Sequence, residues 1–229
     1  MIKGKHYELT YAPVVRWFSV RLLLVLSPLN NWQMKQIDYV LAYPQAPIER
    51  EIYMEIPRGL ELKGKKKENY VLKLHRNIYG QKQAGRVWYK YLKEKLTSKG
   101  FTKFAIDEGV FYKGRVIYIL YTDDSILAAP TEEEVDKTIR DIKGAGLDVT
   151  IEGDINDFLG VHIEKSKRQG NQDDATTSHV EYYLNVKWKM DDQSTMTKTI
   201  EKEATVSGHK ELAVIYVFIL VSNKLTINE

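Results

Sequence analysis

The sequence predicts an α+β fold with a mainly antiparallel sheet, and three observations carry that prediction. Short runs of β-branched and aromatic residues recur between Gln33 and Glu164, each ended by Gly, Pro, Asn or Asp. Two stretches show the 3.6-residue period of amphipathic helices, one from Ala84 to Ser98 and one after Thr131. Several apolar runs are joined by only two or three residues, which is enough for an antiparallel hairpin and too few for a parallel crossover.

Taken in order, Val14, Val15, Phe18, Leu22 and Val25 recur at helical spacing and predict a buried helix from Pro13 to about Ser27, with Pro13 in its first turn. Pro28, Asn30 and Asn31 end it. Gln33 to Val40 predicts a short strand ending near Asp38 and closed by Pro44 and Pro47. Glu51 to Ile56 alternates, with Ile52, Met54 and Ile56 on one face, and Tyr70 to Leu74 follows a charged loop as a third strand. Trp88, Tyr91, Leu92 and Leu96 form the stripe of the Ala84 to Ser98 helix, and Gly100 supplies its left-handed cap. Val110 to Tyr112 and Arg115 to Tyr121 make a hairpin around Lys113-Gly114, and a second turn at Thr122-Asp123-Asp124 leads into Ser125 to Ala129. Thr131 and Glu134 have the spacing of a capping box for a helix buried through Val135, Ile139 and Ile142. Strands at Leu147 to Ile151 and Phe158 to Glu164 complete the region.

The chain has 229 residues, 43% apolar and 28% charged, the balance of a globular protein with a sizeable core. Its longest apolar run, Leu212 to Val221, is half of what a membrane-spanning helix needs, and no secretory signal pattern opens the chain, so an intracellular protein with no membrane partner is expected. The absence of cysteine excludes disulfides, thiolate nucleophiles and Cys-ligated metal sites. Net charge is +3, but the first 130 residues hold 22 Lys and Arg against 12 Asp and Glu, and the rest hold 12 against 19. A polyanion would meet the first part; on charge bias alone a solvated basic face, which many soluble domains carry, is the simpler explanation.

Two adjacent carboxylates between apolar strands, in Tyr121-Thr122-Asp123-Asp124-Ser125-Ile126-Leu127, repel each other unless solvent or a cation separates them. A hard cation such as magnesium, which takes oxygen ligands from carboxylates and phosphates, suits such a turn. A water-facing Asp pair in an ordinary polar turn is the other reading of the same residues.

At this point the sequence resembles a family, the reverse transcriptases of copia-type long-terminal-repeat retrotransposons. Tyr121-Thr122-Asp123-Asp124 is similar to the family's Y-x-D-D box, Thr10-Tyr11-Ala12-Pro13-Val14-Val15 to its T-F-A-P-V-V segment, and Gln36-Ile37-Asp38 to its Q-M-D. Tyr53-Met54-Glu55-Ile56-Pro57-Arg58-Gly59 matches Y-M-x-x-P-x-G. The stretch Leu74 to Tyr89, containing Tyr79-Gly80-Gln81-Lys82-Gln83-Ala84-Gly85-Arg86-Val87-Trp88-Tyr89, resembles L-x-K-S-L-Y-G-L-K-Q-A-P-R-x-W-Y, and Phe158-Leu159-Gly160-Val161-His162-Ile163 resembles F-L-G-I-x-I. The segments occur in the family's order. Gly85 stands where the family usually has Pro, and Gln81 where it has Leu.

The resemblance implies an RNA-directed DNA polymerase fragment with a polymerase palm-like antiparallel sheet and packed helices. Asp38, Asp123 and Asp124 would be its catalytic and metal-binding residues, holding two Mg2+ ions, with Mn2+ as a substitute, for transfer of deoxyribonucleotides to a primer 3′-hydroxyl. It places Tyr43 as an aromatic gate against the ribonucleotide 2′-hydroxyl, and Gln83, Lys82 and Arg86 at the incoming nucleotide; each also reads as an ordinary core ring, helix-entry amide or surface charge. Lys63, Lys65, Lys66, Lys67, Lys90 and Lys93 could follow a template-primer backbone through salt-sensitive phosphate contacts. The partners implied are an RNA or DNA template-primer and deoxyribonucleoside triphosphates, and the family acts in cytoplasmic particles or the nucleus.

The expected organisation is a fingers/palm-like domain over residues 1–167, N-terminally truncated with incomplete fingers, then a divergent tail over 168–229. The tail contains a polar linker at Gln169 to Asp174 and a hydrophobic strand at Leu212 to Val221; it has no recognisable thumb, and its end reads as frame-shifted or mis-spliced. The other polyprotein domains are expected to be missing from this chain. The rival reading is a catalytically inactive, nucleic-acid-binding remnant of a retroelement.

Overall fold

The computed structural model describes residues 1–229 except 61–63, 65, 154, 156, 160, 170–179, 190–194 and 201–229. The expected tail strand at Leu212 to Val221, and Lys63 and Lys65, lie outside the described residues. The element order is α1 (Trp17–Leu29), β1 (Gln33–Tyr39), α2 (Ala42–Gln45), β2 (Pro47–Glu55), β3 (Val71–Arg76), α3 (Ala84–Ser98), β4 (Thr102–Lys103), β5 (Val110–Lys113), β6 (Val116–Tyr121), β7 (Asp124–Ala129), α4 (Glu132–Gly144), β8 (Val149–Gly153), β9 (Asp157–Phe158), β10 (Val161–Gln169), β11 (Val180–Lys189) and β12 (Thr195–Ile200). This is the α+β class that the sequence predicts.

A six-stranded sheet in the order β4-β5-β6-β7-β1-β8 is the centre of the fold, and all its pairings are antiparallel. Strands β2 and β3 pair separately, and β12-β11-β10-β9 form a third sheet. Strands β11 and β12 lie between the expected polar linker and the expected strand at Leu212 to Val221, where the sequence suggested no strand, and the expected strand from Phe158 to Glu164 is divided between β9 and β10 by a turn at Leu159, whose φ is 52°.

The central sheet is covered on both faces. Ile37, Tyr39, Tyr118, Leu120, Leu127 and Ala129 pack against Val87, Trp88, Leu92 and Leu96 of α3 and Val135, Ile139 and Ile142 of α4. Met34, Ile117, Ile119, Ile126 and Ala128 face the other way, against Val20, Leu23 and Leu24 of α1 and Ile155, Phe158 and Ile163. Helix α4 begins with the expected capping box, both of whose hydrogen bonds are formed between Thr131 and Glu134. Among the described residues no helix is long and apolar enough to cross a membrane.

Helix α1 departs from expectation. It starts at Trp17 rather than Pro13, keeps Pro28 within its last turn, and buries Ser19, Val20, Leu23, Leu24 and Ser27. Of the expected stripe, Val14 lies outside the helix, Phe18 is 56% exposed, and Leu22 and Val25 are half-buried. The segment is apolar on nearly every side, so periodicity alone does not choose a face. Tertiary anchors choose it: the buried Asp107 carboxylate accepts hydrogen bonds from the Arg16 N–H (2.9 Å) and the Ser19 hydroxyl (2.6 Å), while a second oxygen accepts from the Gly109 N–H (3.0 Å). Asp107 thus satisfies a helix N-terminus from 88 residues away and turns Ser19 inward.

Gly109 lies under the same crossing. The Val15 N–H donates to the Leu120 carbonyl, the Leu120 N–H donates to the Gly109 carbonyl, and a Cβ at Gly109 would stand 2.2 Å from the Val15 nitrogen. We expect Asp107→Ala to lower unfolding free energy by about 2 kcal/mol, since it leaves buried donors unpaired. Gly109→Ala should be destabilising through displacement of the 12–16 segment, and urea denaturation of each variant measures both effects.

Candidate catalytic carboxylate site

Strand register assembles the site. Along β1 and β7 the directly opposed pairs run Met34 to Ala128, Gln36 to Ile126 and Asp38 to Asp124. Residues opposed in an antiparallel pair project to the same face, so Asp38 and Asp124 share one side of the sheet at the end of the paired region. The β6–β7 hairpin pairs Tyr121 with Asp124, leaving Thr122 and Asp123 as its two-residue tip. Asp38 and Asp124, 86 residues apart in sequence, are therefore neighbours because the strands carrying them pair.

The tip is strained and braced. Thr122 has φ 59° although it is not glycine, whereas Asp123 is not among the positive-φ residues; this is the sign pattern of a type II′ turn, whose first central position favours glycine. The indole Nε1 of Trp88 donates to the Thr122 carbonyl at 2.7 Å, and the Tyr39 N–H approaches the Asp123 carbonyl at 3.4 Å. Beneath the carboxylates, the hydroxyls of Tyr39, Tyr118 and Ser125 form a buried chain with steps of 2.9 and 2.7 Å. Tyr39 follows Asp38 and Ser125 follows Asp124, so this chain ties together the backbones that present the two acids.

The carboxylates bear the electrostatic cost of their proximity. Asp124, half-buried, is pushed up to about 6, first by burial and then by Asp123, Asp38 and Glu152. Burial, and then Asp123, raises Asp38, an effect partly opposed by a hydrogen bond from the Tyr39 backbone. None of the ion pairs among the described residues involves these three aspartates. Among the described residues no three His, Asp or Glu side chains are arranged to hold a metal ion. The site is thus a set of mutually repelling oxygen donors, not a closed ligand shell. Carboxylate oxygens are the donor type that a hard divalent ion takes alongside water and phosphate oxygens.

Tyr43 belongs to this neighbourhood. Helix α2 is fixed by Gln45, whose amide donates to the Val40 and Asp148 carbonyls and accepts from the Asp148 N–H. Burial, then Asp123, raises the Tyr43 hydroxyl. The buried Asn77 amide donates to the Ala46 and Pro47 carbonyls and holds the end of β3 beside α2. This brings the Tyr79 ring to 4.5 Å from that of Tyr43. Tyr79, 50% exposed, is likewise raised by burial and then by Asp123. The sequence shows Tyr79 only as the Tyr of the Tyr79-Gly80 motif, with no link to Tyr43, and Glu152, the residue passed over by a register shift in the β1–β8 pairing, does not stand out at all, because a bulge leaves no compositional mark.

The other expected residues are arranged differently. Gln83 and Arg86 line a cleft with residues 6–9, Glu49 and Arg50. Gln83 is 5% exposed and neither of its amide atoms has a partner. At Gly85, between Gln83 and Arg86 in the chain, a Cβ would lie 3.5 Å from the Tyr43 hydroxyl. The expected cations have protein partners: Lys82 lies over the Tyr7 ring at 5.6 Å, and Arg86 and Lys90 both pair with Glu49, at 3.4 and 3.2 Å. Lys66 is exposed, and Lys67 and Lys93 are half-buried.

Comparison with known proteins identifies sequence relatives of the chain. The chain is 31% identical over 170 residues to the retrovirus-related Pol polyprotein from transposon TNT 1-94 of Nicotiana tabacum, an alignment covering 72% of this chain and 13% of that one. It is 32% identical over 165 residues to the corresponding polyprotein from transposon RE2 of Arabidopsis thaliana, covering 71% and 11%. The putative transposon Ty5-1 protein of Saccharomyces cerevisiae is 25% identical over 134 residues, covering 57% and 42%. The chain therefore spans about an eighth of the length of the plant relatives it matches. No solved structure gives a significant match. The reverse transcriptase (RNA-dependent DNA polymerase) family matches residues 1–201, well past the point at which the motifs alone fade, and this chain belongs to that family, on its copia-type branch.

Proposed function

We propose that the chain is the palm-like part of an RNA-directed DNA polymerase and that Asp38, Asp123 and Asp124 hold two Mg2+ ions, with Mn2+ able to replace them. The observation that carries this reading is the register that sets Asp38 opposite Asp124 with Asp123 at the adjoining tip. Bound there, the ions would lower the pKa of the primer 3′-hydroxyl and neutralise charge on the transferred and leaving phosphates. The protein's own part is positioning. The paired strands fix the spacing of the acids, and the burial that raises Asp38 and Asp124 makes them strong oxygen donors once a cation offsets their repulsion.

The Tyr43 ring, whose hydroxyl feels the Asp123 charge, would exclude a ribose 2′-hydroxyl. Gln83, Lys82 and Arg86 would receive the incoming deoxyribonucleoside triphosphate, Arg86 exchanging Glu49 for phosphate. Lys63, Lys65, Lys66, Lys67, Lys90 and Lys93 would track an RNA or DNA template-primer. The reaction would take place inside the cell, where the substrates are. A second reading, nucleic-acid binding without catalysis, draws on the observation that the described carboxylates are not gathered around a common point.

Primer extension with Mg2+ separates the two. We expect incorporation by the wild-type chain that stops on chelation and falls at least about 100-fold in Asp123→Asn, the scale on which a preorganised electrostatic group acts. Equal incorporation by both proteins, or salt-sensitive duplex binding with no incorporation, removes the catalytic claim.

Crowded acids also set a pH dependence of stability. A carboxyl whose pKa is higher folded than unfolded binds its proton more tightly in the native state, so stability is greatest below its unfolded value near 4 and falls as pH rises through about 6. Because Asp124 is only half-buried, solvent screening reduces the loss, and we expect about 1 kcal/mol. Asp124→Asn should therefore melt higher than wild type at pH 7.5 without metal and equal it at pH 4. Added Mg2+ should narrow the gap at pH 7.5, and melting curves at both pH values test this.

A further inference from the structure

We propose that Trp88 is a positioning residue for the aspartate tip, its indole N–H holding the Thr122–Asp123 peptide in the one orientation that sets where the Asp123 carboxylate stands relative to Asp38 and Asp124. The functional consequence rests on the polymerase reading above. The hold itself is a property of the turn.

Thr122 and Asp123 are the two central residues of a two-residue hairpin loop, and the peptide between them carries the Thr122 carbonyl on one edge and the Asp123 N–H on the other. The two hairpin turns compatible with strand twist, types I′ and II′, differ by a flip of this peptide: I′ needs positive φ at both central residues, II′ only at the first. Thr122 is positive and Asp123 is not. A flip would force Asp123 into the left-handed region and rotate its Cα–Cβ bond, moving the carboxylate. Neither turn type suits a threonine at its first position, so local preference does not decide between them.

An external partner decides. The Trp88 Nε1 lies 2.7 Å from the Thr122 oxygen, and a flipped peptide would present an N–H to that donor instead of an acceptor. The indole is well placed to impose direction because it cannot itself move: Trp88 is 1% exposed, the Tyr39 ring packs on it edge-on with centroids 5.0 Å apart, and Tyr39 is anchored through its hydroxyl to Tyr118. The Tyr39 N–H faces the Asp123 carbonyl at 3.4 Å, so the same aromatic block approaches the backbone on both sides of the Asp123 Cα. Other residues could fill the core position of Trp88 on α3; among the apolar aromatics only tryptophan also presents an N–H at the edge of its ring.

Two replacements test the donor apart from the ring: Trp88→Phe in the full chain, and site-specific incorporation of 3-benzothienylalanine at position 88, which keeps the bicyclic volume and replaces N–H by sulfur. The readout is the Asp123 amide in 15N-resolved NMR spectra, followed with and without Mg2+. In both variants we expect the Asp123 cross-peak to shift or split, with its coupling to Hα changed, while amides of α4 and of β5 stay in place. We also expect at least tenfold more Mg2+ to be needed to perturb Asp123 and Asp124. An unchanged Asp123 amide in the folded benzothienyl protein overturns the hold, whatever the metal does. A changed amide with unaltered Mg2+ dependence overturns its role at the acids. If the wild-type protein shows no Mg2+ response at all, the polymerase reading falls, and with it the functional half of this proposal, while the amide still reports on the hold.

Discussion

Antiparallel pairing of β1 with β7 is the constraint from which the site follows. Register in such a pair is all or nothing: a slip of one residue would carry Asp38 to the α3/α4 face and expose Ile37 and Tyr39. Because Ile37 and Tyr39 are buried on one face and Met34 on the other, the core itself forbids the slip. The stability of the hydrophobic layers thereby fixes the opposition of Asp38 and Asp124, two groups that repel each other and would not choose to be adjacent.

That opposition explains why so much polar structure is placed close behind the acids. A buried chain of three hydroxyls, an indole donor and a backbone N–H converge on the residues that carry or flank the carboxylates. Each removes a backbone or side-chain degree of freedom near the tip, so repulsion among the acids is expressed as raised pKa values and not as local disorder of the strands. The cations expected at the nucleotide side are balanced in another way, by Glu49 and the Tyr7 ring, and a triphosphate would have to replace those partners.

Much of the fold was legible because its elements are locally consistent. The α3 stripe, the α4 capping box and the hairpins from Val110 to Ala129 each combine period, turn residue and length in agreement. Helix α1 was misread in face and start because Trp17–Leu29 is apolar nearly all round, and its orientation was settled by Asp107, a residue with no local link to it. Strands β11 and β12 were not anticipated, although in β11 Val180, Tyr182, Leu184, Val186 and Trp188 alternate with Glu181, Tyr183, Asn185, Lys187 and Lys189, a strand period overlooked within a tail that is polar on average.

The sequence by itself determined which side chains are acidic, which flank them and, through ordered motifs, which family they belong to. Tertiary structure decided their company. Pairing of distant strands set Asp38 against Asp124, the Asn77 clamp brought Tyr79 onto Tyr43, a register shift brought Glu152 into the field of Asp124, and α3 aimed Trp88 at the carbonyl before Asp123. Motif spacing records distance along the chain, whereas charge repulsion, desolvation and hydrogen bonding depend on distance through space, and only the packed sheet converts one into the other.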